Sequence, residues 1–368
     1  MATRRPDVLG NSIAEGTLLA ALAAVLFGVT TPVIQRAGVD ADPFSTALLL
    51  YAGAALATVP LPRAGMHAAR EAREAPVARR HAARLVAIAL AGGALAPACF
   101  AWGLQRTSAA GASLLLNFEA VFTALLAWRL HGEAPGRRFL AALALMSAGG
   151  VMLALTNGTM GAPAGAGSGW GAIAVTGATL AWALDNVLTR PLADLDPVQV
   201  VRFKGALGAL ASLLAFAAIG HAFPRWPHAL ALLACGATGY GVSLRLYLLA
   251  QRRIGAGRTG SVFALAPFVG AGVAWALGDR GPGLTTLTAG ALFALAVYLH
   301  LTEHHEHRHT HARLAHEHGH RHDDGHHDHP HEAPVDGEHS HFHTHDPQTH
   351  EHAHGPDAHH GHAHESEG

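Results

Sequence analysis

The chain has 368 residues, of which 50% are hydrophobic and only 14% are charged, whereas a soluble globular protein carries about 25% charged residues. This composition excludes an ordinary soluble enzyme, and 30 histidines are more than any catalytic site requires. The formal net charge is -1, but it is spread very unevenly along the chain. Cys99 and Cys235 lie far apart in apolar segments and imply no disulfide framework.

The sequence divides at Thr302 into two different compositions. Residues 1–302, here called the body, are rich in Ala, Leu, Gly and Val and carry 22 basic and 12 acidic residues, a net charge of +10. Residues 303–368, here called the tail, hold 24 of the histidines with 3 basic and 14 acidic residues, a net charge of -11. The near-neutral total therefore describes neither part.

The body breaks into ten apolar runs, each close to the roughly 20 residues that cross a bilayer as a helix. We number them as spans 1 to 10: residues 17–35, 44–62, 85–104, 109–130, 139–156, 170–189, 198–220, 229–250, 260–278 and 284–301. Lipid offers no partner to open backbone groups, so the spans are expected to be helical. The alternative, ten buried helices of a soluble protein, would leave almost no polar surface for water.

The positions of the basic residues predict the orientation, because Lys and Arg near helix ends are retained on the cytoplasmic side. With the N-terminus inside, 17 basic residues fall on inner segments and four fall outside. The inner set is Arg4, Arg5, Arg63, Arg70, Arg73, Arg79, Arg80, Arg84, Arg129, Arg137, Arg138, Arg190, Arg202, Lys204, Arg252, Arg253 and Arg258, and the outer set is Arg36, Arg106, Arg225 and Arg280. We expect a multi-pass protein of the inner (plasma) membrane with both termini cytoplasmic and no cleaved signal peptide.

The body carries an internal repeat. Residues 110–128 resemble residues 257–275 at an offset of 147, and residues 179–186 resemble residues 24–31 at an offset of 155. Five spans per unit is an odd number, so the two units must insert with opposite orientations, a recurrent design of secondary transporters. The sequence predicts a first five-helix repeat at 1–157, a second at 158–302 and the tail at 303–368.

Three segments carry a resemblance to a known family: AALAAVLFGVTTPVI in span 1, AAGASLLLNFEAVFTALLAWRLHGE in span 4 and GRTGSVFALAPFVGAGVAWALGD in span 9. They look like EamA-type carriers of the drug/metabolite transporter superfamily, over roughly residues 12–301. The resemblance implies two inverted five-helix repeats that move small solutes, often outward, through a central cavity. This sequence has Ala120 where the family usually has a proline, although span 9 keeps Pro267, so a weaker helix break is expected in the first half.

Glu119 is the leading functional candidate, because an ionisable group at membrane depth is costly and usually faces a cavity or a partner. It lies midway along span 4, two residues after Asn117, in a run of Leu, Phe, Ala and Val. A carboxylate there suits proton coupling or cation binding. The alternative is a structural carboxylate hydrogen-bonded between helices.

A second group of candidates lies in spans 6 and 8. Trp182 and Asp185 are three residues apart and share a helix face, and Asn186 follows, although an interfacial role fits this position equally well. Arg245 in span 8 either neutralises a carboxylate, receives an anionic substrate, or extends to the membrane surface. For Arg202 and Lys204 we favour extension to the membrane surface.

The tail predicts transition-metal binding, because imidazole suits Zn, Ni, Cu and Co. Without an apolar face it is expected to be disordered in the absence of a ligand. The candidate ligands are His339, His341, His343, His345, His352, His354, His359, His360, His362 and His364. A competing interpretation is a pH-responsive tail, since histidine gains charge in mild acid.

These features predict a secondary-active carrier, not an enzyme, that requires no cofactor; no phosphate-binding loop for ATP is found. Two substrates compete: a small organic solute, favoured by the resemblance and by spans without paired histidines, and a metal ion or chelate, favoured by the tail. A membrane-tethered metal buffer or sensor is a further alternative. Expected partners are the lipid bilayer and the substrate, with a homodimer left open and no nucleic acid.

Overall fold

The structure is a computed structural model that describes residues 6–59, 79–131, 137–157, 168–189, 192, 197–278, 283–301, 305–310, 314–320, 339–345 and 349–354. Its α-helices are α1 Pro6–Ala37, α2 Pro43–Ala57, α3 Ala82–Ile88, α4 Ala96–Leu104, α5 Ala109–Leu115, α6 Phe118–His131, α7 Arg137–Asn157, α8 Ser168–Thr189, α9 Pro197–Ile219, α10 Trp226–Cys235, α11 Ser243–Phe263, α12 Ala266–Ala276 and α13 Gly283–Leu301. The body is helical throughout its described part.

Each of the ten predicted spans coincides with a helical segment. Five segments are long and apolar enough to cross a membrane: Ala14–Ala37, Arg79–Leu104, Gly169–Thr189, Val198–Ile219 and Trp226–Gln251. Five more are apolar but shorter: Pro43–Ala57, Ala109–Thr123, Leu140–Leu153, Ala266–Ala276 and Gly283–Leu299. The prediction of an all-α polytopic membrane protein is confirmed for the body.

Spans 3 and 8 are interrupted by π-helical segments at equivalent places of the two repeats. The first, Ala89–Leu95, joins α3 to α4, and the second, Gly236–Val242, joins α10 to α11. They are separated by the same offset of 147 residues that the sequence repeat shows. A π-helical turn widens the helix and releases backbone carbonyls from their usual partners, so the repeat is preserved in an uncommon backbone feature.

Span 4 breaks as clearly as span 9, contrary to the expectation drawn from Ala120. Helix α5 ends at Leu115 and α6 begins at Phe118, while α11 ends at Phe263 and α12 begins at Ala266. In span 4 the Asn117 side chain donates a hydrogen bond of 2.9 Å to the carbonyl of Leu114. Asparagine thereby competes with the helix for that carbonyl and disrupts it without a proline.

The chain reverses direction within α11. The rings of Tyr247 and Phe263 lie 5.0 Å apart, whereas sixteen residues of straight helix would extend about 24 Å. Spans 8 and 9 are therefore two crossings joined by a turn between these residues, as the spacing of the apolar runs predicts.

The loops gather at two ends of the bundle. At one, here called the Gln105 end, Gln35 donates to the carbonyls of Leu104 and Thr107 at 3.0 and 2.7 Å, and Gln105 donates to those of Gly38 and Ala41 at 2.7 and 2.8 Å. At the opposite end, here called the Arg202 end, Arg202 donates to the Thr58 carbonyl at 3.1 Å and closes the C-terminus of α2. The consecutive spans thus alternate in direction.

The tail contains four short segments of extended backbone: β1 His305–Thr310, β2 Leu314–His320, β3 His339–His345 and β4 Thr349–His354. Segment β1 pairs with β4 and β2 pairs with β3, both antiparallel. The alternation of histidine with other residues fits the two-residue period of extended backbone. Residues 321–338 and 355–368 lie outside the described part.

Close contact between α2 and the second π-helical segment depends on glycine. A β-carbon on Gly236 would stand 2.0 Å from the Leu50 carbonyl oxygen, and one on Gly53 would stand 2.1 Å from that of Leu233. Small residues at such crossings let helix backbones approach in a bilayer.

We expect Gly236→Ala to destabilise the protein by at least about 1–3 kcal/mol, because the neighbouring atom is backbone and cannot rotate away. Thermal unfolding of the detergent-purified protein, followed by size-exclusion chromatography, measures the change. Gly272→Ala is the matched control, since nothing lies within 4 Å of its β-carbon position. Equal stability of the two variants would contradict this packing.

Candidate transport site

Glu119 occupies the first turn of α6, just after the break in span 4. The Asn186 side-chain amide donates a hydrogen bond of 2.7 Å to its carboxylate. The positive end of the α6 dipole further stabilises a negative charge at this place. Glu119 is half-buried and Asn186 is exposed, and ionisable groups at membrane depth usually face a polar partner or a cavity because lipid does not solvate them.

Asp185 forms a buried ion pair with Lys204. Its side chain is 1% exposed and that of Lys204 is 14% exposed, and Thr189 donates a second hydrogen bond of 3.2 Å to the carboxylate. Our sequence-based assignment of Lys204 to the membrane surface is wrong, because α8 and α9 cross where the ammonium group meets Asp185. Arg202 instead contacts Thr58 at the end of the bundle.

Asp185 packs directly on the first π-helical segment at Gly92. A β-carbon on Gly92 would stand 2.2 Å from the Asp185 carboxylate oxygen, so only glycine fits there. The Gly92 carbonyl accepts hydrogen bonds from the Tyr51 hydroxyl and, at 3.2 Å, from the Trp182 indole. Trp182 and Asp185, which the sequence placed on one face of α8, therefore meet the same residue of span 3.

An aromatic cluster fills the centre of the body between the two repeats. Tyr240 lies 5.7 Å from Phe27, 5.7 Å from Tyr51 and 6.5 Å from Trp182, measured between ring centroids. Phe100 contacts Trp182 edge-on at 5.4 Å. The Tyr240 hydroxyl is buried and has no hydrogen-bond partner among the described residues. The rings close the centre of the body and leave the Tyr240 hydroxyl there without a hydrogen-bond partner among the described residues.

Helix α8 links Glu119 to this cluster, because it carries both Asn186, which donates to the Glu119 carboxylate, and Trp182, four residues earlier, which contacts Tyr240 and Phe100. The polar group lies on the side of the Arg202 end. Sequence reasoning missed the tyrosines, although Tyr51 and Tyr240 are among only 4 tyrosines in the chain.

Two of the predicted site residues stand apart from this cluster. Asn117 is buried, and its side-chain amide donates a hydrogen bond to the Leu114 carbonyl. Arg245 is half-buried, and no ion pair or hydrogen bond joins it to another residue in the described part of the chain. Lys204, not Arg245, neutralises the carboxylate of Asp185.

The predicted metal ligands fall partly on the tail strands. His339, His341, His343 and His345 lie on β3, and His352 and His354 lie on β4. His359, His360, His362 and His364 lie outside the described residues. Where the structure describes side chains, no three His, Cys, Asp or Glu residues come together as a metal site.

The site is chemically asymmetric although the backbone repeats. Gly239 is the equivalent of Gly92 in the second repeat. A β-carbon on Gly239 would stand 2.2 Å from the methyl carbon of Thr30. Thr30 is the counterpart of Asp185 at the offset of 155, and the part of α2 that corresponds to Lys204 carries Leu48, Leu49 and Leu50. The charged pair therefore occupies a position that is uncharged in the other repeat.

Comparison with known proteins gives three findings. The model of a family described as "EamA-like transporter family" matches residues 14–156 and 169–302. An "Uncharacterized transporter" of Methanothermobacter thermautotrophicus is 30% identical over 203 residues, covering 54% of this chain; the chain spans 58% of that relative's length. One solved crystal structure aligns with a TM-score of 0.56 and 18% identity, covering 77% of this chain and 95% of that chain. This last likeness shows a common fold.

Removing one partner of the Asp185–Lys204 pair should cost about 3–5 kcal/mol, because it leaves the other charge buried and unpaired. We expect Lys204→Leu alone to be strongly destabilised and the double variant Asp185→Thr with Lys204→Leu, which copies the other repeat, to regain most of the loss. Chemical and thermal unfolding in detergent measure both. A Lys204→Leu protein as stable as the wild type would contradict the pair.

Proposed function

Because the chain belongs to the EamA-like transporter family, we propose that it is a secondary-active transporter of a small organic solute, with Glu119 as the group that couples transport to an ion gradient. The observation that carries the proposal is the Glu119 carboxylate at the start of a broken helix, hydrogen-bonded by Asn186 of α8, the helix that also carries Trp182 of the central aromatic cluster. Broken helices at membrane depth form the substrate and ion sites of many transporters.

Alternating access is supported by the difference between the two ends of the bundle. The hydrogen bonds of Gln35 and Gln105 tie α1 to the turn after α4 and seal the Gln105 end. A cavity of about 250 Å³ lies outside this seal. Asn186 is exposed and only three residues from the end of α8 at the Arg202 end. In our proposal the transporter is open toward the Arg202 end, and the solute passes when the aromatic rings separate and the seal opens.

The composition of the site favours an organic solute over a metal ion in the body. Aromatic rings from both repeats offer apolar walls, and the Tyr240 hydroxyl offers a free polar contact. Asp185 is already neutralised by Lys204, so it offers no charge to a cation. Glu119 retains one carboxylate with an amide donor beside it, which suits a proton or a single small cation. Outward transport is proposed from the family likeness.

The Arg202 end carries the larger number of cationic side chains, which supports a cytoplasmic orientation for it. On that end lie Arg79, Arg80, Arg84, Arg129, Arg137, Arg138 and Arg202, against Arg36, Arg106 and Arg225 at the Gln105 end. We therefore propose a plasma-membrane protein whose N-terminus and tail are cytoplasmic. Glu119 would then be reached from the cytoplasm, as export requires.

The tail is proposed to bind transition-metal ions independently of solute transport. Its 24 histidines and 14 acidic residues provide nitrogen and oxygen donors at high density. Imidazole is the donor shared by Ni, Zn, Co and Cu sites, so the tail has the chemistry to collect any of them.

We expect Glu119→Gln to abolish gradient-driven accumulation while keeping solute exchange, because glutamine preserves the shape of the site but cannot carry a proton. In proteoliposomes, a gradient of one pH unit can drive about tenfold accumulation per coupled proton. The assay supplies amino acids, nucleosides and organic amines together and measures each by mass spectrometry.

Glu15→Gln is the control for this experiment, since Glu15 is exposed near the start of α1 and distant from the site in sequence. Unchanged accumulation in Glu119→Gln would overturn the coupling role of this residue. Loss of exchange as well as accumulation would assign Glu119 to solute binding instead of coupling.

Truncation after Thr302 should remove bound transition metal and leave solute accumulation intact, because the tail adds no residue to the site in the body. Metal content is measured by mass spectrometry on the purified full-length and truncated proteins after loading with Zn²⁺, Ni²⁺ or Co²⁺. Equal metal content in the two proteins would contradict a metal-binding tail, and loss of transport would contradict its independence.

A further inference from the structure

The Tyr240 hydroxyl is a buried polar group at the centre of the body. The residue is 8% exposed, and its hydroxyl oxygen has no hydrogen-bond partner among the described residues. Tyr51 lies in the same cluster, 5.7 Å away between ring centroids, but its hydroxyl donates a hydrogen bond to the Gly92 carbonyl. A buried hydroxyl without a hydrogen bond costs free energy, so its presence at Tyr240 requires an explanation.

The fold does not require a tyrosine at this place. Tyr240 belongs to the π-helical segment Gly236–Val242, and its equivalent at the offset of 147 is Gly93 in the segment Ala89–Leu95. Both segments form, although one carries a phenol and the other only a hydrogen at this position. Gly93 instead allows a close approach to Gly208. The Tyr240 hydroxyl is therefore an addition to the repeated backbone and not a part of its construction.

Aromatic rings from both repeats surround Tyr240. Phe27 and Tyr51 of the first repeat each lie 5.7 Å from its ring centroid, and Trp182 of the second repeat lies 6.5 Å from it. Aromatic rings attract one another at centroid distances of about 4.5–7 Å, so rings that separate during transport offer faces and edges to another planar ring. Small-molecule sites are lined mostly by such apolar groups, with a few polar groups that fix the orientation of the ligand.

The charged groups near the cluster are already committed. The Asp185 carboxylate pairs with Lys204, and Glu119 accepts a hydrogen bond from Asn186 and is assigned to the coupling ion in the proposed function. A charged solute buried between the rings would lose its hydration without gaining a counter-charge from these groups. The centre of the body therefore favours a neutral solute.

Resting on the proposed transport of a small organic solute, we propose that the Tyr240 hydroxyl is the hydrogen-bond partner of that solute, and that the solute is a neutral planar heteroaromatic molecule of the class that includes nucleosides. Its ring lies between the aromatic side chains of the two repeats. Its acceptor, a carbonyl oxygen or a ring nitrogen, accepts a hydrogen bond from the phenol. Tyr240 is thus the residue that determines specificity, and its hydroxyl is satisfied when the solute is bound.

This assignment makes an unusual prediction for stability without solute. Tyr240→Phe removes a polar group that has no partner, so the variant should be at least as stable as the wild type. Tyr51→Phe removes a donor from the Gly92 carbonyl and should lower the stability. Tyr298→Phe is the matched control, because Tyr298 is exposed on α13 and lies outside the cluster.

The test uses adenosine as the probe and the full-length protein. Thermal unfolding in detergent, with and without adenosine, measures the stability of each variant and its stabilisation by the probe. Exchange of adenosine in proteoliposomes without an ion gradient measures KM and turnover separately from coupling. We expect Tyr240→Phe to raise the KM for adenosine about five- to tenfold with turnover kept, since one hydrogen bond is lost, and Tyr298→Phe to match the wild type.

Two further probes test the class of solute. Leucine is an aliphatic zwitterion, and benzyltrimethylammonium is an aromatic cation without a hydrogen-bond acceptor. Both should exchange at least about tenfold more slowly than adenosine, because the rings offer neither a counter-charge nor a second polar contact. Preferential exchange of either probe would overturn the solute class.

The remaining outcomes separate this inference from the proposal on which it rests. A Tyr240→Phe protein that is less stable than the wild type without adenosine would mean that the hydroxyl has a structural partner. An unchanged KM in Tyr240→Phe would mean that the hydroxyl does not contact the solute. Either result overturns the role of Tyr240 and leaves transport intact, whereas absence of exchange by the wild type for every solute supplied would overturn the transport proposal itself.

Discussion

A backbone carbonyl released inside a bilayer must find a donor within the protein, and the centre of this molecule is arranged around one such carbonyl. In the π-helical turn of span 3 the Ala96 N–H bonds to the Ala91 carbonyl, and Pro97 has no N–H to offer the next carbonyl, so the Gly92 carbonyl accepts instead from Tyr51 of α2 and Trp182 of α8. Because Asp185 packs on the same glycine, the donors that satisfy the backbone also fix the ion pair with Lys204. An irregular backbone segment thus determines where the charged groups lie.

The two repeats share their backbone but differ in chemistry. The equivalent contact in the other repeat joins Gly239 to Thr30, with no charge on either. Glu119 of the first repeat corresponds at the offset of 147 to Ala266, and Asp185 of the second repeat corresponds at the offset of 155 to Thr30, so each repeat supplies one carboxylate that the other lacks. A scaffold of two similar repeats can exchange between two conformations of similar energy. Because the polar groups are not duplicated, a bound proton or solute stabilises those two conformations unequally.

The spans, the repeat and the position of Glu119 could be predicted from the sequence because hydrophobic length and intramembrane charge are strong local signals. The Asp185–Lys204 pair could not, since it depends on where α8 and α9 cross and not on spacing along either helix. The break at Asn117 was missed because the expectation relied on proline, whereas a side-chain amide disrupts the helix by a different route. For the tail, high polarity and the absence of an apolar face predicted disorder without a ligand, because no hydrophobic burial offsets the entropy of ordering the chain.

The donors of the body and the tail differ in kind, which argues against transfer of metal from one to the other. An ion leaving the histidines of the tail for Glu119 would exchange nitrogen donors for one carboxylate beside an amide, a loss for any of the metals that prefer imidazole. The body carries +10 and the tail -11, so opposite charge is the interaction that the sequence predicts between them. On the proposed metal binding, each divalent ion would cancel two negative charges of the tail and weaken that attraction, which acts within the roughly 8 Å that physiological salt allows.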